Sequence, residues 1–173
     1  ISRSHKVITS DNGLVTITGG KWTSYRLMAE DTVDKAIEVC GLPKRKCVTK
    51  KFRIHGYRKN PDLTDHMYVY GSDEPKILRL IEQEPALGEK LSQKFGYTLA
   101  EVVWAVREEM AITLEDVLAR RVRMLFVDAR EAMAAAPKAA AVMARELGRD
   151  QAWIDEQVKS FTDLAKNYIF EQK

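Results

Sequence analysis

Residues 18–26 read TGGKWTSYR and join a β-like run to a helical one. The preceding run, GLVTI at residues 13–17, is short, apolar and rich in β-branched side chains, which is typical of a strand. From Tyr25 onward the apolar residues recur at helical spacing. The sequence therefore predicts that a strand enters a helix through the Gly-Gly-Lys turn.

The Gly-Gly-Lys turn has the chemistry of a site for an anion or an electron-rich ring. Gly19 and Gly20 allow positive φ and let another molecule approach the main chain without meeting a Cβ. The N–H groups at a helix start lack internal partners and carry partial positive charge, and Lys21 adds a full charge there. Spacing alone also fits a strand-to-helix turn with a solvated lysine, so both interpretations stay open at this point.

The composition fits a globular protein and argues against several other classes. The chain has 173 residues, 45% hydrophobic and 31% charged, and its net charge of +3 is too balanced to indicate nucleic acid. No run approaches the ~18 apolar residues of a membrane span. Cys40 and Cys47 lack metal-ligand spacing, as do His55 and His66, so no metal site is predicted and a reduced setting fits.

The pattern along the chain predicts three segments. Residues 1–41 hold two strands, HKVIT and GLVTI, joined by an Asn-Gly turn and followed by a helix from about Thr23 to Cys40. Residues 42–70 carry eight Lys or Arg and no acid between Leu42 and Pro61, which predicts a basic connector. Residues 71–173 are predicted to be an all-α domain of about five helices. The expected fold class is mainly α, with the hairpin as the remnant of a larger sheet.

Capping patterns and an apolar stripe place the helices of the last segment. Helix starts are predicted at SDEP (72–75), TLAE (98–101) and TLED (113–116). A stripe of apolar residues from Leu114 to Met133 keeps 3.6-residue spacing up to Pro137, which predicts one helix that buries Leu125 and Phe126. A last helix is predicted from about Ala152 to Phe170.

Four stretches together resemble a known family, the FAD-dependent glycerol-3-phosphate dehydrogenases, which are flavoenzymes that pass electrons to membrane quinone. The stretches are SRSHKV, GLVTITGGKWTSYRLMAEDTVDKAI, EEMAITLEDVLARRVRMLFVDAREAMAAAP and MARELGRDQAWIDEQVKSF, and they cover most of residues 2–161 in family order. The family's Gly-x-Gly-x-x-Gly dinucleotide fingerprint does not occur in the sequence. The resemblance, and a first residue that is not Met, therefore imply the C-terminal part of such an enzyme.

The resemblance also implies an activity and a set of site residues. The full-length enzyme would oxidise sn-glycerol 3-phosphate to dihydroxyacetone phosphate, with hydride transfer to FAD. Gly19, Gly20, Lys21 and Thr23 would contact the flavin, although Thr23 also suits a helix cap. Lys21 would be catalytic, and with Arg3 it would bind the substrate. The general base is assigned to no residue, and the chain alone is expected to be inactive and without bound FAD.

Three questions stay open from the sequence. The electrons could pass to quinone, or to oxygen as in a glycerol-phosphate oxidase. Residues 71–173 offer caps and apolar stripes without a convergent acid, base or nucleophile, which also fits a non-catalytic docking or homodimerisation module. The basic run from Lys44 to Lys59 fits a solvated connector or a contact with anionic lipid headgroups. The resemblance implies a cytoplasmic location with peripheral association at the inner face of the membrane.

Overall fold

The computed structural model describes residues 4–170, and the chain divides into two compact units, Ile1–Ile54 and His55–Lys173. A two-stranded hairpin and one α-helix form the first unit, and five α-helices lie in the second. The predicted mainly α class, with a hairpin before the helices, is confirmed. The division falls within the residues predicted to be a basic connector.

The first unit consists of an antiparallel hairpin and the helix that follows it. Strand β1, His5–Thr9, pairs with β2, Val15–Gly19, and Val7 lies opposite Ile17. A 3-10 turn, Trp22–Ser24, leads directly into helix α1, Tyr25–Val39. Strand β2 begins two residues later than predicted because Gly13 belongs to the turn, where its φ is +83°.

Burial in the first unit is incomplete. Side chains alternate along the hairpin between half-buried and exposed, and the half-buried face packs against α1. None of the described residues up to residue 54 is buried. A two-stranded hairpin is marginally stable by itself in water. That this hairpin is the remnant of a larger sheet stays a prediction.

The second unit is a bundle of short and long helices. Its α-helices are α2 (Glu74–Gln83), α3 (Leu99–Glu108), α4 (Met124–Val127), α5 (Ala129–Leu147) and α6 (Gln151–Lys166). Two 3-10 segments, His66–Asp73 and Pro85–Gly88, and a π-helical segment, Asp116–Arg121, connect them. The expectation of about five helices is confirmed.

Helix α5 lies at the centre of this bundle, where α3, α4 and α6 pack on it. Its buried side chains are almost all alanine, with Met143 the exception. The partners supply larger apolar groups, among them Val102 and Val103 from α3 and Phe161 from α6. The small alanine side chains of α5 allow neighbouring helices to approach closely, and the bulkier side chains of those helices fill the core around it.

The predicted capping patterns mark real helix starts. Thr98 and Glu101 form a capping box at α3, in which the Thr98 N–H donates to Glu101 Oε2 at 2.7 Å. Pro75 occupies the first turn of α2, where its missing N–H costs no helical bond. Asp150 caps α6 by accepting from the Trp153 N–H at 3.0 Å. Local hydrogen-bonding rules therefore fixed these boundaries.

The predicted single helix from residue 114 to Pro137 is wrong, because the chain breaks twice within it. The π-helical segment inserts an extra residue per turn and shifts the phase of the apolar stripe. Arg123 then adopts left-handed backbone, φ +58°, and Asp128 is extended and caps α5. As a result Phe126 is 55% exposed, whereas Leu125 is buried as expected.

Pro137 also departs from expectation, since it lies inside α5 and does not end it. Proline within a helix removes one backbone hydrogen bond and crowds the preceding turn, at a cost of about 3 kcal/mol. The buried residues Ala135, Ala136, Ala139 and Ala140 flank it on the inner face, while Pro137 is exposed. Packing of that alanine face outweighs the local penalty.

The last helix ends earlier than expected, at Lys166 instead of Phe170. Phe161 and Ala165 are buried on its inner side, as the apolar spacing predicts. Phe170 is 96% exposed, so no burial favours extending the helix to it.

We expect Leu125→Ala to lower the free energy of unfolding by ~2–5 kcal/mol, because it deletes a fully buried side chain. Phe126→Ala is the matched control on the adjacent residue, and we expect it to cost under ~1.5 kcal/mol. Phe126 is largely exposed and keeps an edge-on contact with Tyr168 at 5.6 Å between ring centroids. Urea unfolding of the chain measures both, and equal losses would contradict the assigned inner face of α4.

Candidate functional site

The Gly-Gly-Lys turn lies where β2 passes into α1, and its own packing requires both glycines. Gly19 has φ +77° and Gly20 has φ +85°. A Cβ on Gly19 would lie 2.8 Å from the carbonyl oxygen of Ser4, and a Cβ on Gly20 would lie 2.6 Å from Sδ of Met28. The strand can therefore turn into the helix only without side chains at these two positions.

The hydroxyl of Ser24 holds the turn by two hydrogen bonds to the backbone of Lys21. The Lys21 N–H donates to Ser24 Oγ at 3.3 Å, and the Ser24 hydroxyl donates to the Lys21 carbonyl at 2.8 Å. Lys21 is the cap of the 3-10 turn and Ser24 the cap of α1, so the expectation that Thr23 caps the helix is wrong. The hydroxyl three positions after Lys21 can reach its backbone, whereas Thr23 lies inside the turn and is exposed.

Several polar and aromatic groups at this turn point to solvent. Within residues 4–170, the N–H groups of Trp22 and Thr23 donate to no backbone carbonyl. The exposed Lys21 ammonium makes no ion pair in the same part of the chain. Trp22 is 88% exposed, and its ring lies 6.0 Å from that of Tyr25. The turn thus presents free donors, one full positive charge and an aromatic surface.

His5 supports the turn from the neighbouring strand. His5 Nε2 lies 2.6 Å from Asp31 Oδ2, which ties β1 to α1. The Cβ of His5 lies 3.2 Å from the position that a Cβ on Gly20 would occupy. Sequence reasoning missed the His5–Asp31 contact, because the two residues are 26 positions apart and no local pattern pairs them.

The structure places four of the five predicted site residues together, namely Gly19, Gly20, Lys21 and Thr23. Arg3 lies outside the described residues, so its place at the substrate stays a prediction. The roles of the other four toward a flavin or a substrate also stay predictions.

A second feature of the first unit is an apolar groove of about 780 Å³. One wall is α1, and the other is the basic stretch between residues 45 and 54. The apolar lining residues are Tyr25, Ala29, Val33, Ile37, Val48, Phe52 and Ile54. Arg26, hydrogen-bonded to Glu30 at 2.5 Å, and Arg45 contribute charge at the edge. The helical spacing of Tyr25, Ala29, Val33 and Ile37 was visible in the sequence, but the second wall was not.

The described residues contain neither a metal-binding cluster nor a membrane-spanning helix. Between residues 4 and 170, no group of three or more His, Cys, Asp or Glu side chains is arranged to hold a metal ion. In the same range, each helix is too short or too polar to cross a lipid bilayer.

Residues 16–154 match the family model described as the C-terminal domain of alpha-glycerophosphate oxidase. The chain belongs to this family. The match begins in β2 and ends in α6, so it includes the whole Gly-Gly-Lys turn and most of the second unit.

Several mitochondrial glycerol-3-phosphate dehydrogenases resemble this chain over nearly its full length. A probable mitochondrial glycerol-3-phosphate dehydrogenase of Caenorhabditis elegans is 34% identical over 190 residues, covering 98% of the chain and 26% of the relative. The mitochondrial glycerol-3-phosphate dehydrogenase of Mesocricetus auratus is also 34% identical, covering 98% and 25%. The mitochondrial enzyme SDP6 of Arabidopsis thaliana is 32% identical, covering 98% and 31%. The chain spans about a quarter to a third of these relatives.

We expect Gly20→Ala to destabilise the hairpin more than Gly41→Ala does, although both glycines have positive φ. An alanine at Gly41 meets nothing within 4 Å and should cost about 1–2 kcal/mol for the backbone alone. At Gly20 the added methyl also meets Met28, so the total should be about 2–5 kcal/mol. Amide hydrogen exchange of Ile8 and Thr16, which lie opposite each other in the hairpin as a hydrogen-bonded pair, measures the opening free energy. Equal losses in the two variants would show that the Met28 side chain moves aside at no cost.

Proposed function

We propose that the chain is the C-terminal part of an FAD-dependent glycerol-3-phosphate dehydrogenase, which oxidises sn-glycerol 3-phosphate to dihydroxyacetone phosphate. The observation that carries this proposal is the family match over residues 16–154, together with relatives named glycerol-3-phosphate dehydrogenase. Because the chain corresponds to about a quarter of those relatives, the activity belongs to the longer polypeptide.

The Gly-Gly-Lys turn has a donor set that fits the isoalloxazine ring of FAD. Both glycines have positive φ and no Cβ, which leaves the main chain open to a flat ring. The unpaired N–H groups of Trp22 and Thr23 suit the pyrimidine edge of a flavin, which gains negative charge on reduction. Gly19, Gly20, Lys21 and Thr23 would therefore hold this edge of the cofactor.

Bound FAD supplies the hydride acceptor for the carbinol carbon of the substrate. The role of this chain would be electrostatic. The Lys21 ammonium and the helix start would hold the negatively charged edge of the flavin and the phosphate of the substrate. Ser24 fixes the backbone of Lys21, so the lysine side chain starts from a defined point beside the two glycines. Arg3 would add a bidentate grip on the phosphate. We assign the general base to no residue of this chain.

The electron acceptor has two candidates, quinone and oxygen. The relatives are named dehydrogenases, whereas the family model is named for an oxidase. We propose quinone, in line with the dehydrogenase names of the relatives. Stopped-flow reoxidation of the reduced full-length enzyme, by a soluble quinone and by oxygen in separate runs, distinguishes the two.

The basic stretch of the first unit supports a peripheral contact with an anionic membrane surface. Val48, Phe52 and Ile54 are exposed between its lysines and arginines, so apolar and cationic groups share one surface. Each cation near a charged bilayer adds about 1 kcal/mol of attraction. We place the protein in the cytoplasm at the inner face of the membrane, whereas the relatives are named mitochondrial. Co-sedimentation with anionic and with neutral vesicles tests the contact.

The second unit also supports a docking or homodimerisation role. Phe126, Val127 and Tyr168 are exposed, and the Phe126 and Tyr168 rings touch edge-on. Exposed apolar side chains that adjoin one another are typical of interaction surfaces. Sedimentation equilibrium of the chain tests this role, since a monomer at tens of micromolar would count against a homodimer.

In the full-length enzyme, Lys21→Met should lower kcat/KM by about two orders of magnitude or more, because one positioned charge typically contributes ~2–4 kcal/mol to transition-state stabilisation. The melting temperature should hardly change, since the Lys21 side chain is exposed. Lys159→Met, on the exposed side of α6, is the matched control and should leave kcat/KM unchanged. Unaltered kinetics for Lys21→Met would refute the role of this residue.

The chain of 173 residues should neither retain FAD nor oxidise glycerol 3-phosphate. FAD affinity depends on a glycine-rich helix start for the pyrophosphate and an acidic residue for the ribose, and that fingerprint does not occur in the sequence. We expect a colourless, mainly helical protein that does not reduce a redox dye when substrate and FAD are added. Absorbance spectra after purification and a dye-reduction assay measure this. A yellow preparation with stoichiometric flavin would overturn the assignment.

A further inference from the structure

Glu101 is a fully buried carboxylate at the N-terminus of α3. Its Oε2 accepts from the Thr98 N–H at 2.7 Å and from the Thr98 hydroxyl at 3.2 Å. Its Oε1 accepts from the Tyr70 hydroxyl at 3.1 Å. Glu101 thus caps its own helix and also holds the 3-10 segment His66–Asp73, which contains Tyr70. A buried carboxylate is tolerated only when such partners compensate its lost hydration.

His66 adds a third partner and lies between two carboxylates. Its Nε2 is 3.2 Å from Glu101 Oε2, and its Nδ1 is 3.3 Å from Asp65 Oδ1. An imidazolium carries a proton on both ring nitrogens and can serve both carboxylates at once. Neutral imidazole carries only one proton, so either Glu101 or Asp65 then faces a bare nitrogen lone pair.

The surroundings of His66 leave its ring little freedom. A Cβ on Gly96 would lie 2.7 Å from Nδ1 of His66, so the absence of a side chain at position 96 makes room for the ring. Tyr97 meets the ring edge-on, with 5.2 Å between centroids. The charged groups that face His66 are Asp65 on its own segment, Glu101 on α3 and Lys90 on the segment before α3.

We infer that His66 is a protonation-sensitive latch, which holds the segment His66–Asp73 on the N-terminus of α3 while both ring nitrogens carry protons. When the ring loses a proton, one of the two carboxylates loses its contact with an imidazole N–H and keeps only its other hydrogen bonds. Because Glu101 is buried and Asp65 caps the 3-10 segment by accepting from the Met67 N–H at 2.9 Å, either loss weakens the attachment of that segment.

The direction of the effect follows from the pKa of His66. The hydrogen bond to Glu101 raises this pKa above its usual value of about 6.5, against the opposing effect of partial burial. Burial, with the nearby Glu101 carboxylate, also raises the pKa of the Tyr70 hydroxyl, so Tyr70 stays a donor throughout. The stabilisation by His66 is therefore complete below the unfolded-state pKa and is lost as pH rises through the folded-state pKa.

Proton NMR of the chain tests the latch directly, because the sequence has only three histidines and His66→Gln identifies the resonance of His66. The titration midpoint of His66 should be higher in the folded chain than in concentrated urea. Over the same pH interval, the hydrogen-exchange protection of the Met67 and Thr98 amides, corrected for intrinsic rates, should fall. Two results would overturn the inference. One is a His66 midpoint in the folded chain at or below its value in urea, and the other is amide protection that does not change across the pH interval in which His66 titrates.

Two variants separate the latch from a merely structural role. In His66→Gln, whose side chain keeps an amide donor but does not titrate, the fall in protection with rising pH should disappear. Asp65→Asn removes one carboxylate at a half-exposed position and should lower the His66 midpoint without unfolding the bundle. If His66→Gln does not fold, Asp65→Asn alone is the test. An unchanged His66 midpoint in Asp65→Asn would contradict the inference that both Asp65 and Glu101 stabilise the protonated ring.

Discussion

The packing of alanine side chains along α5 is the contact on which the second unit depends. Helices α3, α4 and α6 all pack on this helix, and its inner face is alanine from Ala129 to Ala144 except for Met143. Alanine has the highest helix propensity and adds no volume beyond a methyl group. Such a face tolerates an exposed proline within the helix, but any larger residue on the inner side would force its neighbours apart.

The sequence predicted the elements that local rules control and failed where tertiary packing decides. Capping residues such as Thr98 and Asp150 marked helix starts correctly, because their hydrogen bonds span only three positions. The break at Arg123 had no such mark, since no local residue pattern indicates a left-handed arginine two residues after a π-helical segment. A constant period of 3.6 residues therefore predicted Phe126 on the buried face of the helix, whereas it is exposed.

In the candidate site, too, the sequence predicted the locally determined features and missed the contacts between distant residues. The Gly-Gly-Lys turn was predictable because positive φ and a missing Cβ restrict residue type strongly. The contacts His5–Asp31 and His66–Glu101 join residues 26 and 35 positions apart, and no spacing rule reaches so far. Thr23 and Ser24 are chemically alike, so only the backbone path distinguished which hydroxyl closes the turn.

The absence of buried residues between residues 4 and 54 has a thermodynamic consequence for the first unit. Because little of this unit is buried internally, the fraction of molecules in which it is folded depends on the concentration of any ligand that binds its surface. A ligand that binds only the ordered form adds RT ln(1 + [L]/Kd), which is about 2.7 kcal/mol at a hundredfold excess over Kd. The apparent stability of this unit is then a function of ligand concentration and not a constant of the chain.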